Sequence, residues 1–91
     1  MRVADRIRSK LQAAFAPTRL AVTDDSARHK GHAGARPEGE THFTVEIVSA
    51  AFVGMSRVER QRRIYGVLAE ELAGPVHALS LSARAPGEEG A

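Results

Sequence analysis

The sequence predicts a small single-domain α+β sandwich, in the order helix, strand, strand, short helical turn, helix, strand, with one three-stranded mixed sheet. Three observations carry that expectation. Apolar residues recur at every fourth position near the start of the chain; two runs with apolar residues at alternate positions flank a long, polar, glycine-rich stretch; and a capping signature opens a second helical segment that a Gly-Pro pair stops before a final alternating run.

Val3, Ile7, Leu11 and Phe15, with Ala4 and Ala14 beside them, form one apolar stripe and predict an amphipathic helix from about Val3 to Phe15, closed by Pro17. Leu20 and Val22 alternate with Arg19, Ala21 and Thr23, a short strand that ends at Asp24-Asp25-Ser26, whose side chains stabilise turns. The stretch from about Ser26 to Glu40 holds Gly31, Gly34, Pro37 and Gly39 and is too polar to fold alone; a loop this long in a small domain is usually functional or disordered. Phe43, Val45 and Ile47 then alternate along His42 to Ser49, a half-buried strand that pairs with the first as a wide antiparallel hairpin.

Ala50 to Met55 reads as a short turn of helix or a loop. Ser56 and Glu59 have capping-box spacing, in which hydroxyl and carboxylate satisfy orphan amides at a helix start, so a helix is expected from Arg57 to about Leu72. It should bury Val58, Tyr65, Leu68 and Leu72, with Ile64 alongside, and end at Gly74-Pro75. Val76 to Ala83 forms the last strand, with His77, Leu79 and Leu81 on one face and Val76, Ala78 and Ser80 on the other. If the second and third strands are neighbours, the helix between them is a right-handed crossover and they run parallel. The domain spans residues 1–86, and residues 87–91 form a flexible tail.

With 91 residues the chain has room for one core, and a domain of this size buries roughly 60 to 65% of its unfolded surface. Its 43% hydrophobic and 26% charged residues are ordinary for a soluble globular protein. No apolar run approaches the ~20 residues of a membrane span, and the first residues lack a secretory pattern, so a cytoplasmic address without membrane contact is expected. The net charge of +2 is modest, yet every basic residue except Lys10 and Lys30 is arginine, and Arg57, Arg60, Arg62 and Arg63 crowd one stretch. Such a group can grip phosphate or an acidic partner through bidentate hydrogen bonds, or face water.

Catalysis is not expected. Glu70 and Glu71 are adjacent, but consecutive helical residues point about 100° apart and cannot share a substrate, so the pair reads as solvated surface. No nucleophile elbow, phosphate loop or His-Glu-x-x-His occurs, and there is no cysteine. The histidines are more informative: His29 and His32 in the glycine-rich loop and His77 before the last apolar run could supply imidazole to a metal from two separated segments, any thiolate coming from another molecule. His42 reads as structural, pointing away from the core at the loop end.

Several segments in this order resemble the BolA-like family: Asp24-Asp25-Ser26-Ala27-Arg28-His29, Glu40-Thr41-His42-Phe43 through Ile47-Val48-Ser49, Phe52-Val53-Gly54-Met55-Ser56-Arg57-Val58-Glu59-Arg60, and Val76-His77-Ala78-Leu79-Ser80. The resemblance implies a fold similar to a class II KH domain. It also implies partnership with a monothiol glutaredoxin around a [2Fe-2S] cluster, in iron-sulfur trafficking or iron and redox regulation, and in bacteria a role in morphology, stress response and transcription regulation. The ligands it implies on this side are His77 and His29, with His32 as the alternative loop ligand, while the partner brings its cysteine and bound glutathione. The chain would then be a monomer alone and a heterodimer with its partner. Gln61 departs from the histidine common in the family, and Gly31 and Gly34, though spaced as Gly-x-x-Gly, sit between strands instead of between helices, which disfavours RNA binding by that route. The second expectation is a DNA-binding regulator that uses Arg57, Arg60, Arg62 and Arg63 on phosphates.

Overall fold

A computed structural model describes residues 2–25 and 41–88. The helix α1 (Val3–Phe15) is followed by strands β1 (Arg19–Asp24) and β2 (His42–Val48), a 3-10 turn (Ala50–Phe52), helices α2 (Arg57–Val67) and α3 (Ala69–Ala73), and strand β3 (Ala78–Arg84). Among the described residues no helix is long and apolar enough to cross a membrane.

The strands lie in the order β1-β2-β3. β1 and β2 are antiparallel, in register from Arg19 opposite Val48 to Asp24 opposite Phe43. β2 and β3 are parallel, from His42 opposite Ala78 to Val48 opposite Arg84, as a helical crossover between neighbouring strands requires. Phe43, Val45 and Ile47 point to the helix-covered face and are sealed there, where they meet Ile7, Leu11 and Phe15 of α1, Phe52 of the 3-10 turn, and Ile64 and Leu68. The Phe15 and Phe52 rings pack at 5.0 Å between centroids, tilted by 41°. Buried Ser49 is satisfied on both sides: its hydroxyl donates to the Phe15 carbonyl at 2.6 Å and accepts from the Ala51 amide at 3.1 Å.

α1 ends where Ala16 turns left-handed (φ 43°, ψ 56°), its amide donating to the Gln12 carbonyl at 3.0 Å. α2 begins with the expected capping box: the Ser56 hydroxyl accepts from the Glu59 amide at 3.1 Å and the Glu59 carboxylate accepts from the Ser56 amide at 3.4 Å.

Four features differ from the sequence expectation. The second helix is broken at Leu68 (φ -100°, ψ 20°), so its last turn is the separate α3. Its inner face runs through Arg60, Ile64, Leu68 and Glu71 at three- and four-residue steps, which leaves Val58, about 200° around from Arg60, 54% exposed instead of buried. Glu71 is not solvated surface: the 100° between neighbours that parts it from Glu70 turns it inward, where it is fully buried and bonded to Arg6 (3.0 Å) and Lys10 (2.9 Å) of α1. β3 starts at Ala78, so Val76 belongs to the preceding turn; it is buried, not on a face with Ala78 and Ser80, and its amide donates to the Glu71 carbonyl at 3.0 Å. Glu88 is hydrogen-bonded to Arg60 of α2, and residues 89–91 lie outside the described residues.

Candidate functional site

The end of the sheet where β2 begins gathers the described histidines. Thr41, fully buried, organises them. Its carbonyl accepts the His77 amide at 2.7 Å and the Ala78 amide at 3.2 Å, which fixes the backbone of the turn entering β3. Its hydroxyl shares a hydrogen bond of 2.8 Å with His42 Nδ1. His42, at an outward position of β2, is half-buried and His77 is exposed. Their rings lie almost parallel, 12° between planes and 6.3 Å between centroids.

The connection between β1 and β2 leaves and re-enters at this same edge, since the Asp25 amide donates to the His42 carbonyl at 2.7 Å and the Thr44 hydroxyl donates to the Asp25 carboxylate. His29 and His32, the candidate loop ligands, fall in that connection and lie outside the described residues. Among the described residues no three His, Cys, Asp or Glu side chains stand close enough to hold a metal ion. Among the described residues the site offers imidazole, a nitrogen donor of borderline softness, in a chain without cysteine.

The arginine group divides. Arg57, Arg62 and Arg63 are exposed on α2. Arg60 is committed: its Nε donates to the Met55 carbonyl (3.0 Å), its Nη1 to the Ala83 carbonyl (3.1 Å) and to Glu88 Oε1 (2.6 Å), and its Nη2 to Glu88 Oε2 (3.0 Å). The guanidinium carbon lies 6.0 Å from the centroid of the Phe52 ring. The Arg60 hydrogen bond, with a second from the Ala85 amide, holds the Glu88 carboxyl down at about 2, and Glu88 in turn raises the pKa of Arg60. Beside this pair a cleft of about 570 Å³ opens between the start of α2 and β3, lined among others by Arg57, Gln61, Leu81 and Arg84.

Sequence reasoning missed Thr41 and the approach of His42 to His77. The signal was available in principle: pairing the apolar positions Phe43 and Leu79 across a parallel ladder brings His42 and Ala78 opposite each other.

The profile of the BolA-like protein family matches residues 11–88. The chloroplastic protein BOLA1 of Arabidopsis thaliana is 47% identical over 87 residues, covering 93% of this chain and 54% of that protein, so the chain spans about half the length of this relative. The DNA-binding transcriptional regulator BolA of Escherichia coli is 48% identical over 81 residues, covering 89% of this chain and 73% of that one. Among solved structures, BolA1 from Arabidopsis thaliana superposes with a TM-score of 0.83 at 41% identity over 94% of each chain. The BolA domain of SufE1 from the same plant gives 0.83 at 47% identity over 93% of each. By family profile, sequence identity and fold together, this chain belongs to the BolA-like protein family.

Proposed function

We propose that this protein is a non-enzymatic partner of a monothiol glutaredoxin and that it co-ligates a [2Fe-2S] cluster through His77, with His29 or His32 as the second imidazole. The observation that carries this reading is the exposed His77 side chain on a backbone pinned to buried Thr41. An imidazole held on a rigid turn, at the rim where the long connection attaches, can be offered to another protein without unfolding anything. Cluster iron accepts imidazole in place of thiolate, and such substitution raises the reduction potential. A chain without cysteine can fill only the nitrogen half of such a site, so thiolates from the glutaredoxin and its glutathione complete the set.

Co-expression with a monothiol glutaredoxin tests the proposal. The expected result is a coloured heterodimer whose visible circular dichroism changes in His77→Ala, while the far-ultraviolet spectrum of the variant alone stays that of the wild type. A colourless complex, or a His77→Ala complex with the wild-type visible spectrum, overturns it.

The second reading, a DNA-binding regulator, is supported by the name of the Escherichia coli relative and by three exposed arginines on α2. In it Arg57, Arg62 and Arg63 contact phosphates, whereas Arg60 holds the helix to the chain end. Binding would fall steeply with salt, and neutralising Arg57 and Arg62 would reduce the salt slope by about two. Absence of sequence-selective retention in a low-salt gel shift rejects this reading.

A further inference from the structure

We propose that the cleft between α2 and β3 is a docking site for an extended acidic segment of another protein, which adds to the free edge of β3 as a fourth strand and sets its carboxylates on Arg57 and Arg84. The inference stands apart from the cluster and DNA readings, since it uses neither a histidine nor a phosphate.

β3 is the last strand in the sheet order, so among the described residues no strand covers its outer edge. Alternation along the strand settles which backbone groups face that way. The Ala78 amide donates inward to the Thr41 carbonyl and the Arg84 carbonyl accepts inward from the Ser49 amide, so the amides and carbonyls of Leu79, Leu81 and Ala83 point outward. Part of this edge is already taken by side chains: Arg60 Nη1 donates to the Ala83 carbonyl at 3.1 Å, and Glu88 Oε1 accepts from the Ala85 amide at 3.1 Å. A carbonyl and the amide two residues on are the pair that one residue of an added parallel strand engages, so Arg60 and Glu88 together stand in for such a residue. The next pair, the Leu81 carbonyl and the Ala83 amide, lies where Leu81, Ser82 and Ala83 line the cleft. An open edge of this kind is a template for a further strand, with main-chain hydrogen bonds giving affinity and side chains giving specificity.

The walls choose the sign of the occupant. Arg57 and Arg84 are exposed, line the cleft, and make no side-chain hydrogen bond or ion pair among the described residues. The one acidic lining residue, Glu88, is already held by both ends of the Arg60 guanidinium. Two guanidiniums are therefore in excess, each shaped to take a carboxylate bidentately. Glu88 shows the fit from within the chain: a carboxylate carried on a peptide segment seats against this strand edge, held by Arg60 and the Ala85 amide, with the charge of Arg84 favouring its ionised form. Met55 and Leu81, also in the lining, suit apolar side chains between the acidic ones.

The test titrates the purified chain, without glutaredoxin or DNA, with a fluorescein-labelled, end-blocked hexapeptide that alternates glutamate and valine, read by anisotropy and by amide hydrogen exchange. Wild type should bind it about tenfold more tightly than the same peptide with glutamine for glutamate, and the Leu81 and Ala83 amides should exchange more slowly in the complex. Arg57→Gln and Arg84→Gln should each weaken binding about fivefold or more. Arg19→Gln on the opposite sheet edge and Arg63→Gln elsewhere on α2 should bind as wild type. Far-ultraviolet circular dichroism verifies that each variant folds. Equal binding of the two peptides, a loss in Arg63→Gln as large as that in Arg57→Gln, or exchange at Ala83 unchanged by bound peptide overturns the inference. So does a single-stranded oligonucleotide that binds as tightly with the same dependence on Arg57 and Arg84, which would assign the cleft to phosphate.

Discussion

Arg60 grips Glu88 with both ends of its guanidinium, Nη1 to Oε1 at 2.6 Å and Nη2 to Oε2 at 3.0 Å, and so ties the last described residue of the chain to the first turn of α2. The side chain of Arg60 is only 11% exposed in this position. Its charge is thereby turned from a surface feature into a fastening.

Arg60→Ala is expected to lower stability by about 2 to 3 kcal/mol, because it strands the Met55 and Ala83 carbonyls along with Glu88. Arg62→Ala and Arg63→Ala, at exposed positions, should stay within about 0.5 kcal/mol of wild type. Urea denaturation of the three variants decides whether the arginines are equivalent.

Glu88 makes stability depend on acid. Its carboxyl titrates near 4.5 when free and at about 2 in the fold, so the stabilisation is complete above pH 4.5 and disappears as pH falls through about 2. Glu88→Gln should be less stable than wild type at pH 6 and lose less stability between pH 4.5 and 2, the two converging at the acid end. Thermal midpoints measured across that range check the crossing of slopes.

Glu71 is the buried anion between α1 and α3. Burial pushes its carboxyl up, but the Lys10 hydrogen bond and the charges of Lys10 and Arg6 outweigh that effect and hold it below the ordinary value. Glu71→Gln should cost about 1.5 to 3 kcal/mol at neutral pH, the range for hydrogen bonds to a charged group. Since the depressed pKa places this contribution above the ordinary carboxylate range, the deficit should shrink on acidification, as denaturant titrations at pH 7 and pH 3 would show.

Ala16 occupies the left-handed region at the end of α1 with a Cβ that disfavours it. Ala16→Gly should stabilise the fold by about 0.5 to 1 kcal/mol, the reverse of the usual penalty for glycine. A higher thermal midpoint, with unchanged far-ultraviolet circular dichroism, is the expected measurement.

The parts of the molecule governed by near neighbours were legible in the sequence. The four-residue stripe of α1, the alternation of Phe43, Val45 and Ile47, and the Ser56 to Glu59 box are local signals, and each appears where expected. What escaped depends on distant partners. Glu71 looked like half of a solvated pair because nothing local reveals that Arg6 and Lys10 lie across from it. Arg60 looked like a free cation because Glu88 belonged to a stretch read as frayed. The start of β3 was misplaced by two residues because Val76 and His77 continue the alternation, while the Glu71 and Thr41 carbonyls hold them in a turn. For the candidate site, His77 stood out by composition, whereas its neighbour His42 needed the parallel register to be found.

The Thr41 carbonyl that holds the His77 amide also dictates when the histidine edge can exist during synthesis. β2 leaves the ribosome well before β3, and their contact must wait for the intervening helices, a pairing of high contact order. The edge that carries both histidines is therefore a late product of folding, completed only once α2 and α3 have been made.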